Sequence, residues 1–411
     1  MKPCSERLAV IATSFRRVGL GRLGDYVLPP EAVAEQAALR DALGAEELVY
    51  LATCNRVECY VALPHPLRPD DLQTLAARAR AFFAARGATV DDEALFAAHA
   101  EDAITHLLTV SSGLDSLVLG ETEICGQARR AHERCASAGL SGPALAQLFE
   151  QAARCSRRAK NETALGRTPT SAATIAVEKI RKYFGADGPG VTVLVGVGEM
   201  TRKVAQALQG RPGERIFVNR TLARAEELAR RFGGTARSLD ELLAAPPARL
   251  DLLFSATSAT ETVIPPGVLA PALASRAARG ASAPLVVCDL GLPRDVCPTV
   301  DALDGVRVVD MRTIEALAQR GQAALEVEAA RARAIVREET ARFVREDRYR
   351  RVAAESARAL LESRLAHLSA EDRETVLSFA TSLASRIARQ PGYASAPSAQ
   401  SPTTITTLTP T

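Results

Sequence analysis

The sequence has no tryptophan, three methionines and only 4% aromatic residues, so any core must be built from aliphatic side chains; 47% of its 411 residues are apolar, which is ample. No apolar run approaches the roughly 20 residues of a membrane-spanning helix. The opening Met1-Lys-Pro-Cys-Ser-Glu also lacks the basic-then-apolar layout of a secretory signal, and a cytosolic protein is expected. Eight cysteines (Cys4, Cys54, Cys59, Cys125, Cys135, Cys155, Cys288 and Cys297) are too sparse for a disulfide scaffold. None forms a Cys-x-x-Cys pair, so the sequence offers no metal site and the thiols read as reduced. Lysine is scarce too, with five against 46 arginines, a bias that makes any single arginine weak testimony. The net charge of +3 is small for this length, and two or three domains are expected.

Against that background one stretch stands out. Val49-Tyr-Leu51 ends an apolar strand, and Thr53, Cys54, Asn55 and Arg56 then put a hydroxyl, a thiol, an amide and a guanidinium side by side. A thiol beside a fixed positive charge ionises more readily, and the thiolate is the nucleophile. Arg56 is equally suited to gripping a carboxylate through paired hydrogen bonds. Apolar runs at 8–12 and 57–63, with a helical pattern between Pro30 and Leu43, give the order strand, helix, strand, strand; the polar residues sit in a tight connection. Amphipathic helices are expected over residues 71–86 and from Asp102 to Val110, the latter carrying His106.

A second polar cluster runs from Ser111 to Gln127. Gly113 and Gly120 permit close backbone approach, while Ser116, Glu121, Glu123 and Gln127 bring hydroxyl, carboxylate and amide groups to helix ends, a setting for a small polar cation. The plainer possibility is capping, with Asp115 and Ser116 as N-caps and the acids in solvent.

Together, Thr53-Cys-Asn-Arg-Val-Glu-x-Tyr60, His106 ten residues before Ser116, and Ser-Gly-Leu-Asp-Ser-Leu-Val-Leu-Gly-Glu121 with Gly126-Gln127 resemble the glutamyl-tRNA reductases. The resemblance implies that Cys54 attacks the ester joining glutamate to the 3′ end of its tRNA, giving a thioester that NADPH reduces to glutamate-1-semialdehyde, the first committed step of tetrapyrrole synthesis. It implies that Arg56 pairs with the glutamate side-chain carboxylate. Thr53, Asn55, Ser116, Glu121, Thr122, Glu123 and Gln127 would hold the rest, with Glu121 or Glu123 meeting the ammonium, and His106 would transfer or orient a proton. Two departures bear on substrate affinity. The family usually reads Glu-Pro-Gln where this chain has Glu121-Thr-Glu123, and its Asn-His-Lys-Thr-Ala-Pro loop is replaced by Thr13-Ser-Phe-Arg-Arg17.

Residues 129–182 carry eleven Lys or Arg against four Glu, an excess suited to a polyanion. Arg129, Arg130, Arg154, Arg157, Arg158 and Lys160 are candidates for contact with the tRNA backbone, the alternative being an ordinary solvated face.

Val191-Thr-Val-Leu-Val195 runs into Gly196-Val197-Gly198-Glu199-Met200-Thr201 and a helix, the pattern of a strand, a phosphate-binding turn and a helix N-terminus. Thr201 stands where the third glycine of the usual fingerprint falls. The next strand ends in Asn219-Arg220-Thr221, where an NAD enzyme would carry an acid, so NADPH is the expected cofactor. Further strands at 250–254 and 284–290 continue the alternation into a doubly wound parallel sheet, with Ser255 to Ser258 and Gly291 at strand ends beside a nicotinamide.

No proline lies between Pro298 and Pro391, and from Arg312 to Leu368 the pattern is helical far beyond a single globular helix. The expected fold is therefore α/β. It comprises an N-terminal α+β catalytic domain (1–160), a Rossmann-type NADP domain (161–310), and a long spinal helix with a C-terminal helical dimerisation domain (311–390). A Ser/Thr/Pro-rich disordered tail (391–411) follows. The resemblance implies a homodimer, whereas the pattern alone also allows a bundle within one chain. Glutamyl-tRNA is the expected partner, with glutamate-1-semialdehyde aminotransferase as a second. Two other functions fit less of the sequence. A catalytically inactive relative regulating flux would not need an intact Cys54 and His106, and a shikimate-type NADP dehydrogenase leaves the cysteine motif without a purpose.

Overall fold

The computed structural model describes residues 4–390 except 30–31, 54, 92, 117, 122, 167–170, 186–187, 258, 260, 282 and 323–324. Cys54, Thr122, Ser258 and the tail from residue 391 lie outside the described residues. The described residues divide into two compact units. Glu6–Thr340 forms one, and Cys4, Ser5 and residues 341–390 form the other.

The first unit begins with a four-stranded antiparallel sheet, β1 (Leu8–Ser14), β2 (Glu47–Ala52), β3 (Arg56–Ala62) and β4 (Phe96–His99), in the order β2-β3-β1-β4. Between β1 and β2 runs α1 (Val33–Leu43), stopped by Gly44, whose left-handed backbone accepts the chain reversal. β2 and β3 form a hairpin in which Ala52 faces Val57 and the Thr53 N–H donates to the Arg56 carbonyl at 2.9 Å. Thr53 and Asn55 thus lie between the paired ends of the two strands. The Phe15 N–H donates to the Asn55 carbonyl and holds the end of β1 against it. α2 (Pro69–Ala84) and α3 (Ala100–Ser111) flank β4, and α4 (Glu123–Ser137) and α5 (Pro143–Glu162) complete the helical layer. In α3, Ala103, Ile104, Leu107, Leu108 and Val110 are buried, the i, i+3, i+4 stripe that fastens the helix to the sheet.

After α6 (Ala172–Phe184) comes a six-stranded sheet built from β5 (Val191–Val195), β6 (Glu214–Asn219), β7 (Thr235–Ser238), β8 (Leu252–Ser255), β9 (Leu285–Asp289) and β10 (Val306–Asp310). Every pairing in it is parallel, in the order β10-β9-β8-β5-β6-β7. That is the Rossmann order, reversing between β5 and β8. Its strands are apolar on both faces, and alternate residues serve opposite layers. Leu194, Phe217, Phe254 and Val286 pack on α6, α7 (Glu199–Leu208) and α8 (Leu222–Phe232). Val193, Val195, Ile216, Leu253 and Val287 pack under Leu242 and Ala272.

From β10 the chain enters α9 (Met311–Gln322) and then α10 (Glu326–Ser363). Within the first unit, the start of α10 is fastened by Gln151, whose amide donates to Glu339 at 2.6 Å, and by Arg158, which pairs with Glu338 and Glu339 at 2.7 and 3.0 Å. In the second unit α11 (Ala370–Ala388) folds back on the later part of α10. Arg350 donates to the Ser385 hydroxyl at 2.6 Å and Arg389 pairs with Glu346 at 3.2 Å. The chain therefore closes a helical hairpin on itself. Val352, Leu360, Phe379 and Leu383 nevertheless remain exposed on it.

Candidate functional site

Strand alternation places Arg56, Glu58 and Tyr60 on one face of β3, and this face is sealed: Arg56 and Glu58 are 4% and 1% exposed. Glu58 is the hub. Its Oε1 receives Arg56 Nη1 and faces His106 Nε2, each at 2.9 Å, while its Oε2 accepts from the Tyr60 hydroxyl at 2.5 Å. Burial pushes the Glu58 carboxyl up, but the His106 and Arg56 charges, with the hydrogen bonds from His106 and Tyr60, outweigh it and bring the group down to about 2. A buried carboxylate thus fixes one ring nitrogen of His106 from behind.

Arg56 is more heavily engaged than expected. Besides Glu58, its Nη1 reaches Asp115 Oδ2 at 2.8 Å, and its Nη2 donates to the Asp115 carbonyl. Desolvation works against the guanidinium, and Glu58 and Asp115 hold it charged. Asp115 is partly exposed, with Arg16 3.6 Å away, so it is a pairing residue and not the solvated N-cap the sequence allowed.

The Ser111–Gln127 stretch closes beside this face. Gly113 has φ +73°, and a Cβ there would lie 2.5 Å from the Glu121 carbonyl oxygen, so only glycine lets the loop fold back. The Gly120 N–H donates to the Gly113 carbonyl at 2.8 Å. Ser116 is buried, and Glu121 lies beside its hydroxyl. Burial raises the Glu121 carboxyl above its ordinary value despite Lys203 and Arg56 nearby. Gln127 is half-buried one turn along α4 from Glu123. Glu123, expected as a possible partner for a substrate ammonium, is instead buried and salt-bridged to Lys203 of α7. Its carboxylate already has a cation because the nucleotide helix lies against the first turn of α4.

Around residue 54 the flanking groups are ordered. The Thr53 hydroxyl accepts the Asn55 N–H at 3.2 Å. Asn55 Oδ1 and Thr13 Oγ1 are buried and have no hydrogen-bond partner among the described residues. Cys59 is 1% exposed and burial raises its thiol far above the ordinary range, which suits packing and not attack.

The second part of the site is a cleft of about 660 Å³ at the C-terminal ends of β5, β6 and β8. Gly196, Val197, Gly198, Asn219, Arg220 and Thr221 line it as expected. Gly196 has φ +95°, and a Cβ there would meet the Ala256 carbonyl oxygen at 2.3 Å; this turn can be made by glycine alone. Three neighbours assigned to the cofactor do not line the cleft. Glu199 turns to Arg130 at 3.3 Å, Met200 packs into the apolar layer, and Thr201 is fully buried where the third glycine would let helix and sheet approach. Thr257, within the Ser255–Ser258 stretch expected beside a nicotinamide, lines it too, as do Arg202 and Arg224, which were not singled out from the sequence. Arg224 lies four residues after Arg220, in the first turn of α8, a position that would have revealed it. Opposite, Asp295 accepts from the Ser255 hydroxyl and the Thr257 N–H, both at 2.8 Å, which fixes the end of β8. Gly291, expected near a nicotinamide, is pressed against Asp295. The donor set, a glycine turn before a helix N-terminus with arginines at the end of β6, fits a dinucleotide phosphate.

Much of the positive charge of residues 129–182 is answered within the chain. Arg129 faces Glu133 at 3.7 Å, Arg154 faces Glu150 at 2.6 Å, and Arg130 and Arg158 are paired as described; Arg157 is exposed. Among the described residues, no helix is long and apolar enough to cross a membrane.

Residues 11–163 match the family model for the N-terminal domain of glutamyl-tRNAGlu reductase, and residues 178–317 match the shikimate/quinate 5-dehydrogenase model. The chain is 34% identical over 308 residues to a glutamyl-tRNA reductase of Desulfotalea psychrophila, covering 74% of this chain and 70% of that one. It is 36% identical over 318 residues to one from Myxococcus xanthus, covering 77% and 70%. The solved glutamyl-tRNA reductase of Methanopyrus kandleri superposes with a TM-score of 0.47 at 26% identity, covering 94% of this chain and 96% of that one.

Proposed function

This chain belongs to the glutamyl-tRNA reductase family, and from that premise we propose that it reduces glutamyl-tRNA to glutamate-1-semialdehyde through a thioester on Cys54, with NADPH as reductant. The observation that carries the reading is the assembly behind the hairpin turn, where Glu58 holds both Arg56 and His106 on the face of the strand that follows Cys54. The match of the shikimate model to the nucleotide domain alone speaks against a shikimate-type dehydrogenase.

The Cys54 thiolate attacks the glutamyl ester carbon. The carbon–oxygen bond to the tRNA breaks, and the 3′-hydroxyl leaves with a proton that His106 would provide. Arg56 receives the substrate's side-chain carboxylate. Asp115, the more exposed of its two carboxylate partners, is the one displaced, while Glu58 stays. Ser116, Glu121 and Gln127 hold the amino end, and Thr53 and Asn55 flank the nucleophile in the hairpin. When bound in the cleft, NADPH supplies the hydride. The carbon–sulfur bond then breaks and Cys54 is regenerated as the thiolate.

Arg220 and Arg224, with Asn219 and Thr221, would take the 2′-phosphate. Replacing both arginines with alanine is expected to weaken NADPH binding about 10²-fold while leaving NADH binding nearly unchanged, since each charge-assisted hydrogen bond contributes about 1.5–3 kcal/mol. Titration with both cofactors measures this, and equal losses would reject the assignment. The exposed Val352, Leu360, Phe379 and Leu383 support a homodimer through the helical hairpin. The reactive aldehyde would pass, in the cytoplasm, to glutamate-1-semialdehyde aminotransferase.

The reading as a whole is tested by incubating the protein with glutamyl-tRNA with and without NADPH. Semialdehyde should form only with the reductant, and a covalent glutamyl adduct should accumulate without it. Absence of both products would refute it.

A further inference from the structure

Lys203 is one of only five lysines in the chain, and it projects from α7, the helix that begins at the phosphate-binding turn, toward the catalytic domain. Its ammonium forms a salt bridge with Glu123, the first residue of α4, whose side chain is 6% exposed. Glu121 lies close enough for Lys203 to be its largest stabilising charge. One helical turn before Lys203, Glu199 pairs with Arg130 at 3.3 Å, so a second ion pair joins the same two helices at a more exposed point. A buried acid at position 123, where an amide usually stands, would be costly without a counter-charge. The cation comes from the nucleotide domain.

We propose that Lys203 is a positioning residue for the reduction step. By holding Glu123, it pins the loop that carries Glu121 and the first turn of α4 against the helix that starts the cofactor cleft, and so keeps the glutamyl group in register with the hydride donor. The proposal rests on the reading above, because it needs an acyl-enzyme to reduce. Acylation of Cys54 also uses Glu121 and Gln127, but it needs no register with the hydride donor, so with saturating glutamyl-tRNA it should depend on the pin far less than reduction does.

The test uses the full chain, with Lys203→Met and the double variant Lys203→Met, Glu123→Gln, the second removing the buried unpaired acid that would otherwise confuse misfolding with mispositioning. Acyl-enzyme is formed from labelled glutamyl-tRNA without cofactor, then chased with saturating NADPH in a single turnover. With saturating glutamyl-tRNA both variants are expected to acylate within about threefold of the parent and to reduce the adduct at least about tenfold more slowly than that acylation loss, since an ångström of misplacement can cost as much as 10²-fold. Lys203→Arg, which keeps the charge, should reduce within about threefold of the parent. Without any cofactor, hydrogen exchange at the amides of Gln127 and Ala128, which close the first turn of α4, should accelerate about tenfold in both pin-less variants. Reduction at the parental rate in the double variant, acylation falling in parallel with reduction, or unchanged exchange in that turn would each overturn the proposal. Failure of the parent itself to form an acyl-enzyme would instead overturn the underlying function.

Discussion

A Cys54→Ala variant is expected to form neither the glutamyl adduct nor semialdehyde, with turnover down by at least about 10³-fold, because no other group can supply both the attack and the thioester. The paired control is Cys59→Ala. Five residues along the same hairpin, Cys59 is buried and its thiol is raised by desolvation, so losing it should cost packing, about 1–2 kcal/mol, and change turnover by no more than about threefold. Cys54→Ser sharpens the comparison. Serine lacks the thiolate, and an oxygen ester accepts hydride far less readily than a thioester, so this variant should acylate slowly and reduce more slowly still. Mass spectrometry of the protein after exposure to glutamyl-tRNA reads the adduct, and aldehyde trapping reads the product. Semialdehyde released by Cys54→Ala at the parental rate would exclude the thioester route.

What the sequence discloses follows from the range of the interactions involved. Strand and helix periodicity is local, and the strand, helix, strand, strand start of the first sheet, the Rossmann alternation and the long helical stretch were legible from it, whereas the fourth strand, Phe96–His99, was not. The glycine turn at Gly196–Gly198 was legible because its steric demand falls on adjacent residues. The long-range partner of Arg56 was not, since Asp115 reaches it from 59 residues away, and a single arginine among 46 carries no label. Glu58 lay in between. The alternation Arg56, Glu58, Tyr60 places three polar side chains on one face of a buried strand, and the acid there finds one cation two residues away in Arg56 while His106 joins it from α3. Glu123 and Lys203 were hidden for the same reason, on helices of different domains. Only contact shows that the unusual acid is matched.

Glu58→Gln should lower kcat about 10²-fold while leaving the protein folded at neutral pH, because the amide fits the space but supplies no anion to fix His106 and hold Arg56. The stability consequence has a definite sign. In the unfolded chain the Glu58 carboxyl titrates near 4.5 and in the folded chain near 2, so its contribution is fully present above pH 4.5 and is lost as pH falls toward 2. The difference corresponds to an energy on the order of 3 kcal/mol. Urea midpoints measured between pH 7 and pH 2 should therefore show the parent's advantage over Glu58→Gln shrinking across the acid window. If the two curves ran parallel, the Glu58 carboxyl would titrate alike in the folded and unfolded chain. If the variant turned over at the parental rate, the carboxylate behind His106 and Arg56 would have no part in the chemistry. A Tyr60→Phe change separates the two roles, because it removes the hydrogen bond to Oε2 while sparing Oε1, the oxygen facing His106 and Arg56. It should raise the Glu58 carboxyl, narrowing the acid window, while turnover falls by less than about tenfold.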